Sequence, residues 1–351
     1  MASELTLSVL DQSPVRRGGT AAEALQESVK LAQIAEGLGY QRYWVAEHHD
    51  SGSFAGTSPE LLIGQIAART HSIRVGSGGV MLTHYSALKV AEQFRLLESF
   101  FPGRIDLGIG RAPGSDQRTA AALSYPRPQA DVRRFPEQVA DLLSFLEGTL
   151  DPAHPFSGIR AQPGPVPASV PEVWLLGSSD YSAQLAAAMG LPFAFADFFG
   201  TSAALGPFAA AQYLKEFHPS PRHPKPRLNV AIQALCAPTA EEASFLGNTR
   251  RLSRANHLFH LDLGPGLLSP EEAAAYPLPD EARPHLERLG RRDIEGDPQQ
   301  VRKKILATAA TYGTNDIAIV TNCYSFESRA RSYELVAKAF GLTPRGAPSR
   351  P

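Results

Sequence analysis

The stretch "IRVGSGGVMLTHYSALKVAEQFRLLESFFPGRIDLGIGR", residues 73–111, reads as a strand, a helix and a second strand in direct succession. The apolar runs at 73–80 and 104–111 are typical of buried strands. Between them, apolar residues from Val90 to Phe101 recur every three or four positions, which predicts one apolar face of a helix. Such a unit places two parallel strands side by side with a helix across one face of the sheet.

The same alternation of apolar strands and helical segments continues along the chain. Strand-like runs lie at 5–12, 42–47, 73–80, 104–111, 172–179, 192–199, 228–237 and 316–323. Buried parallel strands need helices on both faces of the sheet, and eight such units predict a sheet closed on itself. The expected fold is therefore α/β, a (β/α)8 TIM barrel, in a single domain over residues 1–351.

A long insertion is expected between strands 7 and 8 of this barrel. Residues 260–297 hold five prolines around short helical pieces such as "PEEAAAY". Insertions of this length in barrels are commonly binding loops or lids, which predicts a mobile lid over residues 260–297. The alternative is a surface elaboration without a catalytic role.

Composition narrows the class of partner. The 34 basic and 35 acidic residues give a net charge of -1, which offers no field for nucleic acid or an anionic membrane. The two cysteines, Cys236 and Cys323, form neither a disulfide framework nor a zinc site. No signal peptide and no apolar run of membrane-spanning length is found. We expect a cytoplasmic protein that acts on a small molecule.

Polar residues and glycines cluster where the predicted strands end. In TIM barrels the active site lies at the carboxyl ends of the strands, so these positions are the candidate site. They are Asp11, Gln12, Glu47, His48, His49, Gly78, Gly79, Gly110, Arg111, Gly177, Ser178, Ser179, Asp197, Gln233, Thr321 and Asn322.

The end of the second strand carries groups that transfer protons. Neighbouring side chains on a strand point to opposite faces, so His48 and His49 do not both enter the barrel mouth if the strand continues. A neutral imidazole near pH 7 accepts and returns a proton, which makes His48 a candidate base. The alternative is a histidine bonded to a loop carbonyl. Glu47, His48 and His49 in succession lack the spacing of two ligands on one helix face, so no metal site is predicted.

Glycines at two strand ends favour a flat ligand close to the main chain. Gly78 and Gly79 permit such an approach, although an ordinary turn at the strand end is the alternative. The sequence "GIGRAPG" lacks the third glycine of a dinucleotide fingerprint, because residue 113 is proline. Arg111 remains as a cation at a strand exit, suited to an anionic group.

The segment "GSSDYS" at the end of the fifth strand is the best phosphate candidate. Gly177 allows the chain to turn, and Ser178, Ser179 and Ser182 offer hydroxyls at the N-terminus of a helix. A simple serine N-cap, which stabilises a helix by about 1 kcal/mol, is the alternative. The order of the strands brings Arg111 and Arg133 near this helix, which favours phosphate.

Taken together, these motifs resemble the bacterial luciferase-like flavin-dependent monooxygenases, in their single-chain, alkanal-monooxygenase-like branch. The resemblance covers nearly the whole chain. It is most specific in "EGLGYQRYWVAEHH", in residues 73–114, in "VWLLGSSDYSAQLAAAMGLPFAFADFF" and in "SRARSYELVAKAFG".

The resemblance implies roles for particular residues. His48 is the active-site histidine beside the flavin ring, with Glu47 next to it. The peptide between Gly78 and Gly79 is a non-proline cis bond that forms a bulge behind the ring. The residues that hold the FMN phosphate are Arg111, Arg133, Ser178, Ser179 and Ser182.

The sequence departs from the luciferase pattern at two places. Gly110 stands where luciferase carries a reactive cysteine, and Asp197 with Phe198 stands where close relatives often have a histidine. These departures leave open the identity of the substrate and whether light is emitted.

The implied activity is oxygenation of a small, apolar organic substrate by reduced FMN and O2. The chain has no NAD(P)H fingerprint, so a separate flavin reductase is expected, and relatives predict a homodimer. Three alternatives remain: a deazaflavin (F420)-dependent oxidoreductase, a non-catalytic flavin-binding protein, and a phosphate-handling barrel lyase or isomerase. The sequence does not distinguish FMN from F420 as the cofactor, and it does not identify the reductase.

Overall fold

The computed structural model describes residues 5–112, 116–126, 128, 131–164, 169–199, 205–290 and 293–344. Its strands are β1 Thr6–Asp11, β2 Arg42–Val45, β3 Arg74–Met81, β4 Ile105–Gly110, β5 Glu172–Gly177, β6 Phe193–Ala196, β7 Leu228–Cys236, β8 Ile294–Gly296 and β9 Asp316–Val320. Its helices are α1 Ala21–Leu38, α2 Pro59–Ala67, α3 Ala87–Phe100, α4 Gln117–Ser124, α5 Phe135–Glu147, α6 Asp180–Ala188, α7 Leu205–Glu216, α8 Ala240–Leu246, α9 Asn248–Phe259, α10 Pro270–Ala275, α11 Ala282–Gly290, α12 Pro298–Tyr312 and α13 Phe326–Phe340.

Within these residues the strands close into a parallel barrel. Strands β1 to β7 pair in chain order, β7 pairs with β9, and β9 pairs with β1. The predicted (β/α)8 barrel is therefore confirmed. Strand β8 pairs only with the end of β7, outside the barrel.

Local signals fix the ends of the helices. Helix α1 starts with a capping box, in which the Thr20 hydroxyl accepts from the Glu23 N–H and the Glu23 carboxylate accepts from the Thr20 N–H. It ends at Gly39, which has a φ of 91°. A Cβ atom there would lie 2.3 Å from the Thr343 carbonyl oxygen, so glycine is required on both counts.

The lower part of the barrel is closed by large and charged side chains. Trp44 and Trp174 meet edge to face inside it, with ring centroids 5.4 Å apart. Below them, the Arg42 guanidinium lies 3.3 Å from the Asp106 carboxylate and 2.9 Å from that of Asp316. These side chains fill the barrel at this end, and the candidate residues at the carboxyl ends of the strands lie at the other.

A buried ion pair joins β1 to α13 on the outer side of the sheet. The Arg329 guanidinium donates to the Asp11 carboxylate at 3.0 Å, and both side chains are only 2% exposed. The Tyr43 hydroxyl and the Ser13 N–H also donate to Asp11, at 2.6 and 2.9 Å. Asp11 therefore stabilises the fold from outside the barrel and does not face its mouth.

The insertion is partly ordered by main-chain hydrogen bonds. Residues 261–268, called the strap below, run beside the loop that follows β1. The Leu267 N–H donates to the Val15 carbonyl at 2.8 Å and the Arg17 N–H to the Leu267 carbonyl at 2.7 Å. The Gly266 N–H reaches the Gly52 carbonyl in the loop after β2, at 3.0 Å. The strap thus lies against the loops that follow β1 and β2 at the carboxyl end of the barrel, and its mobility stays a prediction.

The structure contains several elements that the sequence did not predict. Helices α4 and α12 and strand β8 were not expected, and the segment after Thr239 forms two helices, α8 and α9, instead of one. Among the described residues, no helix has both the length and the apolar character needed to cross a membrane.

Candidate functional site at the barrel mouth

The alternation of side chains along a strand sorts the residues at the strand exits into two groups. Leu10, Ala46 and Val320 belong to the cluster inside the barrel. Two positions past these residues, and past the ends of β1, β2 and β9, stand Gln12, His48 and Asn322. Gln12 and Asn322 meet there, since Asn322 Nδ2 donates to Gln12 Oε1 at 2.6 Å. Glu47 and His48 have different partners, because Glu47 bonds to Tyr85 and His49 while the His48 ring packs on Phe54.

His48 is held at the mouth by its surroundings. Its main-chain N–H donates to the Gly56 carbonyl at 2.8 Å, and its ring packs on Phe54 with centroids 4.8 Å apart. The Nδ1 atom is buried and has no hydrogen-bond partner in the part of the chain that is described. Burial, with a smaller contribution from His49, lowers the pKa of His48 to about 4. The imidazole is therefore neutral near pH 7, and burial makes it a weaker base than an exposed histidine.

Glu47 is a buried centre of hydrogen bonds on the other face of β2. Its carboxylate accepts from the Met81 N–H at 3.0 Å and from the Tyr85 hydroxyl at 2.7 Å, and it lies 2.9 Å from Nε2 of His49. Burial and the neighbouring Glu47 charge raise the pKa of Tyr85, so its hydroxyl stays protonated as a donor. These contacts tie the end of β2 to the residues that follow β3.

The glycine pair in β3 has the predicted backbone. The Gly78–Gly79 peptide is cis, and the pairing of β3 with β4 shifts register between Gly78 and Val80. A Cβ atom on Gly79 would lie 2.8 Å from the Gly108 carbonyl oxygen, so the two main chains pack directly. The non-proline cis bond and the bulge expected from the resemblance are both confirmed.

Arg111 lies beside the N-terminus of α6. Its guanidinium stacks 4.4 Å from the centre of the Tyr181 ring, in the first turn of that helix. The Ser179 hydroxyl caps the helix by accepting from the Ser182 N–H at 3.3 Å, and the Ser179 and Ser182 hydroxyls are 3.2 Å apart. A helix N-terminus with a fixed arginine is a suitable site for an anionic group.

Gly177 is needed for this arrangement. A Cβ atom on it would lie 2.2 Å from the Ser182 hydroxyl oxygen, so any side chain at position 177 displaces the first turn of α6. Gly110 differs, since only the Met81 sulfur, at 3.8 Å, lies near the position of its Cβ. The surroundings of Gly110 are therefore less crowded than those of Gly177.

Arg133 is not brought to this group in the structure. Its side chain is 88% exposed and pairs with Asp131 two residues earlier, at 2.6 Å. The structure thus gathers Arg111, Ser178, Ser179 and Ser182 at one exit and leaves Arg133 directed to solvent. A role for Arg133 stays a prediction from the resemblance.

Three residues of the site were missed by sequence reasoning. Tyr85 fixes Glu47, Tyr181 supports Arg111, and Phe54 covers His48. Tyr181 stands inside the quoted "GSSDYS" motif, so its place in the first helical turn was a usable signal. The other two lie in loops, where no periodic pattern marks them.

The pKa of His48 predicts the acid limb of the pH profile. A histidine whose pKa is lowered to about 4 keeps its neutral form as the pH falls through its usual value of 6.5. Catalysis that depends on neutral His48 should thus stay level from about pH 8 to about pH 5 and fall near pH 4. The measurement is kcat/KM against pH, and a limb centred near 6.5 would contradict it.

In TIM-barrel enzymes the active site lies at the carboxyl ends of the parallel strands. The candidate residues of this chain follow the same strand ends, which places it in that class. The family model described as luciferase-like monooxygenase matches residues 5–320. The chain therefore belongs to the luciferase-like monooxygenase family and is an oxidoreductase of the monooxygenase type. The family resemblance expected from the sequence is confirmed.

Individual relatives agree with this assignment. The N-acetyl-S-alkylcysteine monooxygenase of Bacillus subtilis (strain 168) is 38% identical over 347 residues, which cover 95% of this chain and 98% of that protein. The crystal structure of apo-MsnO8 is 37% identical, with a TM-score of 0.87 over 97% of this chain and 100% of that one. A type II Baeyer–Villiger monooxygenase from Pseudomonas putida, solved in complex with FMN, is 20% identical. Its TM-score of 0.69, over 97% of this chain and 98% of that one, shows the shared fold alone.

Proposed function

We propose that the protein is a flavin-dependent monooxygenase that uses reduced FMN and O2 to oxygenate a small organic molecule. The observation that carries the proposal is the neutral His48, whose buried Nδ1 has no partner among the described residues, on the strand next to the glycine bulge. A separate reductase would deliver the reduced flavin.

The residues present fit an FMN molecule. Arg111 and the N-terminus of α6 would hold the phosphate, and the Gly78–Gly79 bulge would lie against the flat ring. Gly110 ends β4, the strand between these two points, and adds no side chain there. When bound, reduced FMN supplies the two electrons that reduce one atom of O2 to water while the other atom is transferred to the substrate.

The chain itself would control protons and water. His48 would accept or return a proton at the reacting centre, since its buried nitrogen is neutral at working pH. Glu47 would have a positioning role, because its carboxylate accepts a hydrogen bond from the main-chain N–H of Met81, which follows the bulge. The strap would exclude water by covering the mouth.

A thioether is the first substrate to test. The relative at 38% identity is named for an S-alkylated cysteine, which contains a thioether sulfur. In the balanced reaction the thioether gains one oxygen atom as a sulfoxide, O2 gives its other atom to water, and reduced FMN becomes FMN.

We also propose a homodimer formed through α2 and α3. Leu61 on α2 is 70% exposed, and Leu96 and Phe100, one turn apart on α3, are 49% and 69% exposed. Helices α2 and α3 contact each other, so these exposed apolar side chains lie on neighbouring elements and form a candidate interface.

The experiment that tests the function is a flavin titration followed by measurement of oxygen uptake. Oxidised FMN should bind with a change in its visible spectrum, and reduced FMN with O2 and a thioether should give a sulfoxide. Binding of F420 without oxygen uptake would favour the deazaflavin oxidoreductase, and binding of FMN without turnover a flavin-binding protein. A protein indifferent to all flavins would favour the barrel lyase or isomerase.

The phosphate site can be tested with two flavins. We expect Arg111→Gln to weaken FMN binding roughly 10-fold to 100-fold, because a charged hydrogen bond to phosphate is lost. Riboflavin, which lacks the phosphate, should bind the variant and the wild type alike. Arg133→Gln is the matched control, since Arg133 is directed to solvent. An equal loss of FMN affinity in both variants would place Arg133 at the phosphate as well.

A further inference from the structure

Three carboxamide side chains stand on three neighbouring strands of the barrel. Gln12 follows β1, Asn322 follows β9, and Gln233 lies in β7, and these strands are adjacent in the sheet. We call these residues the amide rim. Strands β2 to β5 carry His48, the glycine bulge and Arg111, so the amide rim occupies the other half of the mouth.

Most of the hydrogen-bonding capacity of the amide rim is unused. Asn322 Nδ2 donates to Gln12 Oε1 at 2.6 Å, which leaves the Gln12 N–H groups and the Asn322 carbonyl oxygen. The Gln233 carboxamide makes no hydrogen bond to the described part of the chain. Gln12 and Gln233 are each only 9% exposed. The unpaired amide atoms are not fully enclosed by protein, so they are reached by water or by a ligand at the mouth.

Gln233 also borders a small cavity. Together with Phe198, Arg254 and Asp197 it lines a space of about 30 Å³ at the exits of β6 and β7. A cavity of this size holds about one water molecule, so a larger polar group meets the Gln233 carboxamide from the barrel mouth. Ala231, two residues earlier, belongs to the cluster inside the barrel, and the alternation along β7 points Gln233 the same way.

Charge near this cavity is balanced. Arg250 pairs with Asp293 and Glu295, Arg251 pairs with Glu295, and Arg254 pairs with Asp293. Asp197, on the cavity wall, adds a third carboxylate to these three guanidinium groups. With no excess of either sign, the site favours a neutral polar group over an ion.

We propose that the amide rim binds the substrate through a neutral group with an N–H and a C=O side by side, as in a secondary amide. This rests on the proposed function, because it assigns part of the molecule that is oxygenated. A carboxamide donates and accepts at once, so it pairs with such a group at two points. The inference differs from the apolar substrate expected from the sequence.

An apolar substrate would cover these amides and leave them unpaired. The loss is roughly 10-fold to 100-fold in affinity for each buried polar group without a partner. Sites built to bond a polar substrate group reject analogues that lack it for this reason.

The test uses three thioethers of similar length with the FMN-loaded full chain. They are the acetamide of methylthioethylamine, the acetate ester of methylthioethanol, and methyl hexyl sulfide. The amide has N–H and C=O, the ester has only C=O, and the sulfide has neither. Dissociation constants come from the change in the visible spectrum of bound FMN, and sulfoxide yield is measured alongside.

We expect the ester to bind roughly 10-fold and the sulfide roughly 100-fold more weakly than the amide. Equal affinity for the sulfide and the amide, or no saturable spectral change with the amide, would overturn the inference. A protein that binds no FMN is recognised before any thioether is added, and that result removes the proposed function and this inference together.

Variants locate the effect. Gln233→Leu should abolish the preference for the amide over the sulfide while FMN affinity stays within about 3-fold of wild type. Gln12→Leu is the second variant, in case the first does not fold. Thr308→Val is the matched control, because Thr308 lines the same cavity but donates to the Lys304 carbonyl of its own helix. Weakened FMN binding with an unchanged amide preference would assign the rim to the flavin and overturn the substrate assignment.

Discussion

Replacement of His48 by alanine is expected to lower the rate of substrate oxygenation by about 100-fold to 10,000-fold, the usual contribution of a positioned acid or base. FMN affinity should change little, because the proposed phosphate contacts lie at α6 and not at β2. The measurement is sulfoxide yield per reduced FMN consumed, with a parallel FMN titration.

His49→Gln is the matched control for that variant. His49 follows His48 directly but bonds to Glu47 on the other face of β2, at 2.9 Å. Its replacement should lower the rate by less than about 10-fold, the effect of a shifted support and not of a lost base. A larger loss for the His49 variant than for the His48 variant would show that His49, and not His48, handles the proton. That result would refute the site as described.

Asp11→Ala is expected to destabilise the protein by about 3–5 kcal/mol, because it leaves the buried Arg329 charge without its carboxylate. Urea unfolding followed by far-UV circular dichroism measures the change. Arg329 is 2% exposed in its side chain, so solvent does not replace the lost partner.

Two controls separate this effect from a general cost of mutation. Glu334→Ala removes the exposed Arg331–Glu334 pair, with side chains 58% and 42% exposed, and should cost less than about 1 kcal/mol. The double variant Asp11→Ala, Arg329→Met removes both charges and should recover part of the lost stability. A single Asp11→Ala variant as stable as Glu334→Ala would show that the buried pair is not needed.

The barrel was predictable because each of its strands is a short apolar run followed by polar residues or glycine. The strand exits then gave the candidate site, since closed parallel sheets place these ends together. The sequence also predicted that His48 and His49 would not both enter the mouth if β2 continued. Strand β2 ends at Val45, and His49 bonds to Glu47 while the His48 ring packs on Phe54.

Other elements left a signal that was not used. Helix α12 begins with Asp297, Pro298 and Gln300, a capping box with proline in the first turn. Its buried residues Val301 and Ile305 are one turn apart. This pattern directly follows a proline-rich segment, which is typical of a loop. The three-residue strand β8 is too short to show any period.

The supports of the site were beyond local patterns. Tyr85 bonds to Glu47 across 38 positions of sequence, and the amide of Asn322 meets that of Gln12 across 310. Such contacts exist only after the barrel closes, so no window of neighbouring residues reveals them. Arg133 shows a further limit, because its place in the order of strands does not fix where a long side chain points, and its proposed contact with the phosphate stays a prediction.

The tryptophan pair and the ionic layer beneath it give the barrel a floor. If FMN and substrate bind as proposed, both reach the mouth from its open end, and the product leaves by the same route. The ligand that binds last then blocks the release of a ligand that bound before it. Access from one end only predicts that the ligands bind and leave in a fixed order. Steady-state kinetics would detect this as an ordered mechanism.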